Sequence, residues 1–194
     1  MNHVHHSDNI NSNPCTDKLS DLEYLEHMIP HHQVAVDMSV THMPHTTNPQ
    51  ILHLCREIDR IQKYEIWIME RVKNQLIQTV FSDESGERKP VYTKLDMYSP
   101  KMSKDRDGEC DPLFFKPDEH AHHMKSMKMT DKSYLEHMIP HHQVAIDMSQ
   151  RLLRHTNNSY LMDFCNKLIY DQQGEIFKMK NMLQNRYDYH SQLI

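Results

Sequence analysis

Glycine is nearly missing from this chain, with three in 194 residues. No Gly-rich phosphate loop can be read, and no Ser-His-Asp or other nucleophile–base arrangement stands in the sequence. A catalytic role is therefore not expected. The four cysteines, Cys15, Cys55, Cys110 and Cys165, never form a C-x-x-C pair, which excludes a zinc ribbon and a thioredoxin-type motif. No apolar run approaches the roughly 20 residues of a membrane span. The opening stretch from Met1 to Asp8 has no apolar core of the kind a signal peptide carries. The expected location is intracellular and cytoplasmic, with no membrane partner. Low Gly beside much Asn, Lys, Ile and Tyr fits an AT-rich genome, and for a viral source the virion is the equivalent location. A basic stripe is missing as well, and the net charge is −5, which argues against nucleic acid as a partner. Glu-x-x-His, the motif of a di-iron carboxylate site, occurs in neither of the two repeated segments, 17–81 and 127–190.

What is present in excess is histidine, 17, and methionine, 15. Imidazole and thioether are the softer metal ligands a protein has, although Met also fills helical cores. One stretch concentrates both. Tyr24-Leu-Glu-His-Met-Ile-Pro-His-His-Gln-Val-Ala-Val-Asp-Met-Ser39 returns at Tyr134–Ser149, offset by 110 residues, with only Val36 replaced by Ile146.

The elements follow from caps and periodicity. Residues 1–16 read as a mobile, His-containing tail. Ser20 with Glu23 forms a capping box that opens a helix to about Val40. Asn48 and Pro49 suit the N-cap and first position of the next helix, which keeps a 3.6-residue period to about residue 80. Together, residues 17–81 make a first helical hairpin. Residues 127–190 repeat the plan, with Thr130 or Asp131 as the cap, a loop through His155–Ser159 and a last helix over roughly 160–186. Residues 82–126 form a linker with a His/Met-rich end, and its Pro-rich part, 82–119, reads as a long irregular connection. The predicted fold is all-α: a four-helix bundle of two repeated hairpins related by a pseudo-two-fold axis.

Comparing the two halves isolates candidate site residues. Of 31 paired positions between Pro49–Thr79 and Ser159–Tyr189, five are identical: Cys55/Cys165, Gln62/Gln172, Glu65/Glu175, Ile66/Ile176 and Met69/Met179. Four of the five carry a heteroatom. At 100° per residue, Cys55, Gln62, Glu65 and Met69 lie within about 80° on the apolar face. In the first helix, His27, His31 and Met38 fall in a similar inward arc, flanked by Met28 and His32. Glu26, Gln33 and Asp37 fall on the opposite, solvated side. Pro30 removes a helical N–H and is expected to kink the helix beside the histidines.

Glu-His-Met-Ile-Pro-His-His-Gln-Val-Ala-x-Asp-Met, followed by Gln62-Lys-Tyr-Glu65-Ile66-Trp-Ile-Met69 and Gln172-Gln-Gly-Glu175-Ile176-Phe-Lys-Met179, resembles the signature of the domain of unknown function 305 family. The resemblance covers both repeats, about two-thirds of the chain. It implies a ferritin-like helical fold and copper binding through His and Met, as in periplasmic copper-binding proteins of the CopM type. Carried over by position, it points to His27, Met28, His31, His32 and Met38, and to His137, Met138, His141, His142 and Met148. Glu65, Met69, Glu175 and Met179 complete the candidate metal set.

The expected function is a non-enzymatic protein that buffers, stores or delivers copper, as Cu(I) or Cu(II). The alternative is a structural or interaction bundle with no metal, in which Glu65 accepts hydrogen bonds from His31 to fix helix register. A zinc- or iron-dependent enzyme is the remaining reading. His-x-His-His stands ahead of both repeats. His3, His5 and His6 form one accessory capture tract, and His120, His122, His123, Met124, Met127 and Met129 form the other. Met1-Asn2-His3 also offers a square-planar Cu(II) or Ni(II) seat through a free amine. Cys55 and Cys165 read as small buried hydrophobes, with a meeting at the pseudo-two-fold axis as the other option. His45 and His155 read as loop caps. Beyond the metal ion, a homo-oligomer or a metal-exchange protein is the partner class left open.

Overall fold

The structure, a computed structural model, describes residues 19–80, 111–126 and 129–187. Within them the chain is all-α. Five helices run as α1 (Asp21–His42), α2 (Pro49–Val80), α3 (Pro117–Ser126), α4 (Asp131–Leu152) and α5 (Ser159–Tyr187), with a 3-10 turn at Pro112–Phe115 ahead of α3.

The starts are set by side chains. Ser20 accepts from the Glu23 amide while the Glu23 carboxylate accepts from the Ser20 amide, closing a capping box. Thr130 and Ser133 make the same reciprocal pair for α4. Asn48 Oδ1 accepts the Gln50 amide at 3.0 Å, and Asn158 Oδ1 accepts from Tyr160 and Leu161. Each repeats the other at the start of the second helix of its hairpin, supplying acceptors for otherwise unpaired amides. Both α1 and α4 continue as helix through Pro30 and Pro140.

α1 packs along α2 and α4 along α5, giving two antiparallel hairpins, and the hairpins meet through α1 and α4. The last turn of α1 lies at the start of α4, where His42 pairs with Asp131 at 2.8 Å and stacks on Tyr134. Two apolar clusters fill the bundle, each drawing on both hairpins. One holds Val34, Ala35 and Met38 with Tyr134, Leu135 and Met138. The other holds Tyr24, Leu25 and Met28 with Val144, Ala145 and Met148. The same residues of the repeated stretch thus serve one cluster from each side.

Two polar relays tie the halves. Tyr24 Oη shares a 2.7 Å hydrogen bond with Ser149 Oγ and accepts from Cys165 Sγ at 3.5 Å. Tyr134 Oη meets Ser39 Oγ at 2.8 Å and hydrogen-bonds Cys55. Cys55 and Cys165 therefore sit in separate clusters as free buried thiols and do not meet at the axis. Burial pushes both thiols up to about 11, so neither is a thiolate at neutral pH. The small-hydrophobe role fits them; the axial pairing does not.

The linker also departs from expectation. Its C-terminal part is helical rather than irregular. Asp111 caps the 3-10 turn through the Leu113 amide at 2.9 Å, Pro112 occupies the first position, and Phe114 is buried. Pro117 then opens α3 with Asp118 and Glu119 in the first turn, which favours the helix dipole. Two prolines read as breakers are helix starts.

Candidate metal centre

The repeated stretch delivers its histidines to different neighbours. His32 points to α2, where Nε2 lies 3.0 Å from Glu65 Oε2. His142 reaches Glu175 Oε2 at 2.7 Å. His31 does not meet Glu65; the carboxylate's partner is His32. Instead His31 and His141 stack on each other across the interface between α1 and α4, centroids 3.7 Å apart and 29° from parallel. The physical reason is that α1 has two packed neighbours. Adjacent positions 31 and 32 differ by about 100°, enough to face one partner helix each.

One helical turn from each His–Glu pair lie two thioethers. Met28 stands at i−4 from His32 and Met69 at i+4 from Glu65, and both are buried in one cluster. Met138 and Met179 hold the same positions beside His142 and Glu175 and share the other cluster. Each His–Glu pair thus has one buried methionine a helical turn away on each of its two helices. Met38 lies in the cluster of Met138 and Met179, and Met148 in that of Met28 and Met69. Their neighbours there are largely apolar.

Several of these buried groups lack partners. Neither ring nitrogen of His31 has a hydrogen-bond partner, and Nδ1 of His32, His141 and His142 has none. Both side-chain polar atoms of Gln62 and Oε1 of Gln172, the kept glutamines, are orphaned too. The His141 Nε2–H donates to the His31 carbonyl at 3.1 Å, which leaves its Nδ1 as a lone pair. Buried polar atoms are nearly always satisfied. So many unpaired imidazole nitrogens in two repeated settings suit a set that accepts something besides a proton.

Burial, and then the neighbouring imidazoles, hold His31 and His141 well below the ordinary histidine range. Both are neutral at pH 7. The folded values lie below the unfolded 6.5, so below that pH the unfolded chain binds protons the folded chain refuses. Stability contributed by the neutral pair is complete above pH 6.5 and is lost as pH falls toward the folded values. Urea midpoints of metal-free protein should therefore drop between pH 7 and 5. The slope should approach about 1.4 kcal/mol per pH unit for each of the two rings. A flat profile in that window contradicts a buried neutral pair.

The linker packs against this stacked pair. Phe114 stands edge-on to His141 at 5.0 Å and to His137 at 5.7 Å, and Phe115 lies 5.1 Å from His31 and 6.1 Å from His27. The sequence reading passed over these phenylalanines, though an apolar pair between Pro112 and Pro117 in a polar linker was the available signal. His27 and His137 are half-buried at the margin of the stacked pair.

Of the accessory set, His120 is buried, with Nε2 3.4 Å from His137 Nε2. His122 and His123 are exposed on α3, Met124 is buried, and Met129 packs half-buried against the same cluster. His3, His5, His6, Met127, Cys15 and Cys110 lie outside the described residues, as does the Met1–His3 seat. His155 donates from Nε2 to the Leu19 carbonyl at 2.8 Å, a contact outside its own hairpin; His45 is exposed. Tyr64 and Trp67 stack on each other at the surface, with Arg71 over the indole.

Among the described residues, no three His, Cys, Asp or Glu side chains converge as a ligand group. Each hairpin places one His–Glu pair beside buried methionines one turn away. The carboxylates also border the outside. Glu65 lines a groove with Tyr64, Phe164 and Lys167, and Glu175 one of about 610 Å³ with His53, Tyr170 and Gly174. No described helix is long and apolar enough to cross a membrane.

Fold and site together define an all-α protein with a buried His–Glu pair inside each hairpin and buried methionines one turn from it. The chain belongs to the DUF305 family, a domain of unknown function, whose profile matches residues 21–183. Its structure is similar to that of CopM in the Cu(II)-bound form, with a TM-score of 0.63 and 26% identity over 88% of this chain and 99% of that one. CopM in the Cu(I)-bound form gives 0.62 and 25%, over 87% and 99%. A DUF305 fragment from Deinococcus radiodurans shares the fold at 0.53 and 20% identity, over 85% and 95%. Among curated proteins, the uncharacterized protein L153 of Acanthamoeba polyphaga mimivirus is 39% identical over 56 residues. That match spans 29% of this chain and 37% of the relative.

Proposed function

We propose that this protein binds copper and buffers, stores or delivers it without catalysing a reaction. The observation that carries the proposal is the repeated donor set. Met28, His32, Glu65 and Met69 in one hairpin, and Met138, His142, Glu175 and Met179 in the other, set two methionines one turn from an imidazole hydrogen-bonded to a carboxylate. Thioether and imidazole together favour Cu(I) over zinc, iron or magnesium. The residues fit the ion on their own chemistry: Nδ1 of each imidazole has no hydrogen-bond partner, and the neighbouring methionines lie in apolar clusters. The stacked His31–His141 pair, between the two sets, holds further unpaired nitrogens. The copper- and silver-bound forms of CopM support the same assignment by similarity.

What this chain's own residues do follows from their placement. Glu65 and Glu175 hold the imidazoles in orientation by accepting from Nε2, which keeps the lone pair on Nδ1. The grooves beside them are the route by which an ion or an exchanging partner protein reaches the hairpins. Bound copper would raise stability by mass action.

The test is a competition titration. Metal-free protein should withdraw Cu(I) from a chromogenic chelator to a saturating stoichiometry. A second reading is favoured by the short His142–Glu175 and His32–Glu65 hydrogen bonds: a polar network that only sets helix register. It predicts that the chelator keeps all its copper.

A further inference from the structure

A pair of imidazoles outside the hairpin donor sets has the span of a cation seat. His120 on α3 and His137 on α4 approach Nε2 to Nε2 at 3.4 Å. That is longer than the usual 2.7–3.2 Å of a nitrogen hydrogen bond, yet His120 is only 1% exposed. Two nitrogens each at 2.0–2.1 Å from one ion would subtend an angle of about 110° at this span, close to tetrahedral. A linear two-coordinate ion needs them farther apart.

Met124, one turn on from His120, is packed into the apolar cluster of Met138 and Leu135. The titratable groups acting on the two rings include His123, from α3, Asp111, from the cap of the 3-10 turn, and His141, from α4. Asp111 Oδ1 already accepts the Leu113 amide. We infer that His120 and His137 form the seat of a divalent borderline cation of the zinc class, completed by water and, on loading, by His123 or Asp111. This seat is independent of copper in the hairpins and uses no thioether.

The consequence is mechanical as well as chemical. α3 packs on α1, while His137 belongs to α4 and lies against Phe114. A cation at the seat ties the linker to both central helices and fixes Phe114 against the His31–His141 pair.

Co(II) titration of the intact chain, followed by visible absorption and displacement with Zn(II), tests the assignment. One equivalent of Co(II) should give tetrahedral ligand-field bands that Zn(II) abolishes. His120→Ala and His137→Ala should each lose those bands, and a His32→Ala, His142→Ala chain should keep them. Thermal melts should rise with Zn(II) in the parent and not in His120→Ala. Should His137→Ala fail to fold, His120→Ala, on the short α3, decides alone. Unchanged cobalt bands in folded His120→Ala, or no saturable Co(II) or Zn(II) uptake by the parent, overturns the inference. Cu(I) retention by the hairpins is read separately in the chelator titration, so failure here leaves that result standing, and the reverse.

Discussion

A chain carrying His32→Ala together with His142→Ala is expected to hold one copper fewer per hairpin than the parent. Each substitution removes the imidazole that pairs with Glu65 or Glu175. Two thioethers and a carboxylate remain, a weaker Cu(I) site than one with a nitrogen donor. The same change strands Glu65 and Glu175, whose side chains are 8% and 13% exposed. Leaving a buried polar group unsatisfied costs about 1–3 kcal/mol, out of a total stability of about 5–15 kcal/mol. Metal-free protein should therefore also unfold at lower urea. His32→Gln with His142→Gln separates the two effects. Glutamine can still donate to the carboxylates, so stability should return while copper retention should not. If copper retention is unchanged in both variants, the hairpin histidines are not ligands.

Tyr24→Ala should give the largest loss of stability of any single substitution considered. Tyr24 is fully buried, is bonded to Ser149 of α4 and Cys165 of α5, and belongs to α1. Truncating a buried aromatic costs about 3–5 kcal/mol. Tyr24→Phe keeps the ring and strands Ser149 and Cys165, so about 1–3 kcal/mol should be lost. Because Tyr134 plays the same part with Ser39 and Cys55, Tyr134→Ala and Tyr134→Phe should match within about 1 kcal/mol. Urea denaturation of the four metal-free variants measures this. A Tyr24→Ala chain as stable as Tyr24→Phe would contradict the packing described.

The sequence carried the hairpins because their signals are local. Ser20 with Glu23, Asn48 with Pro49, and the cap at Thr130 each act within one helical turn. The kept polar residues of α2 and α5 were legible through contrast with the drift around them. Glu65 and Glu175 do face histidines, and Gln62 and Gln172 are buried.

What was not legible was which neighbour each buried residue faces. Periodicity identifies an inward arc. It cannot divide that arc between α2 and α4, so His31 was matched to a carboxylate that belongs to His32. The stacking of His31 on His141 depends on how two hairpins dock, and no window of sequence contains that. The linker was misread for a different reason. Prolines in a polar linker suggest breaks, but Asp111 as a cap and a buried Phe114 make Pro112 and Pro117 first-position residues. The contact between His120 and His137 follows only once α3 exists as a helix.

Copper K-edge X-ray absorption of the Cu(I)-loaded chain tests the central claim most directly, since it reads the donor atoms themselves. The account predicts a first shell mixed of sulfur and nitrogen or oxygen, with the sulfur lost when Met28, Met69, Met138 and Met179 are replaced by leucine. A first shell of nitrogen and oxygen alone in the parent, or sulfur scattering unchanged by the four replacements, would contradict it.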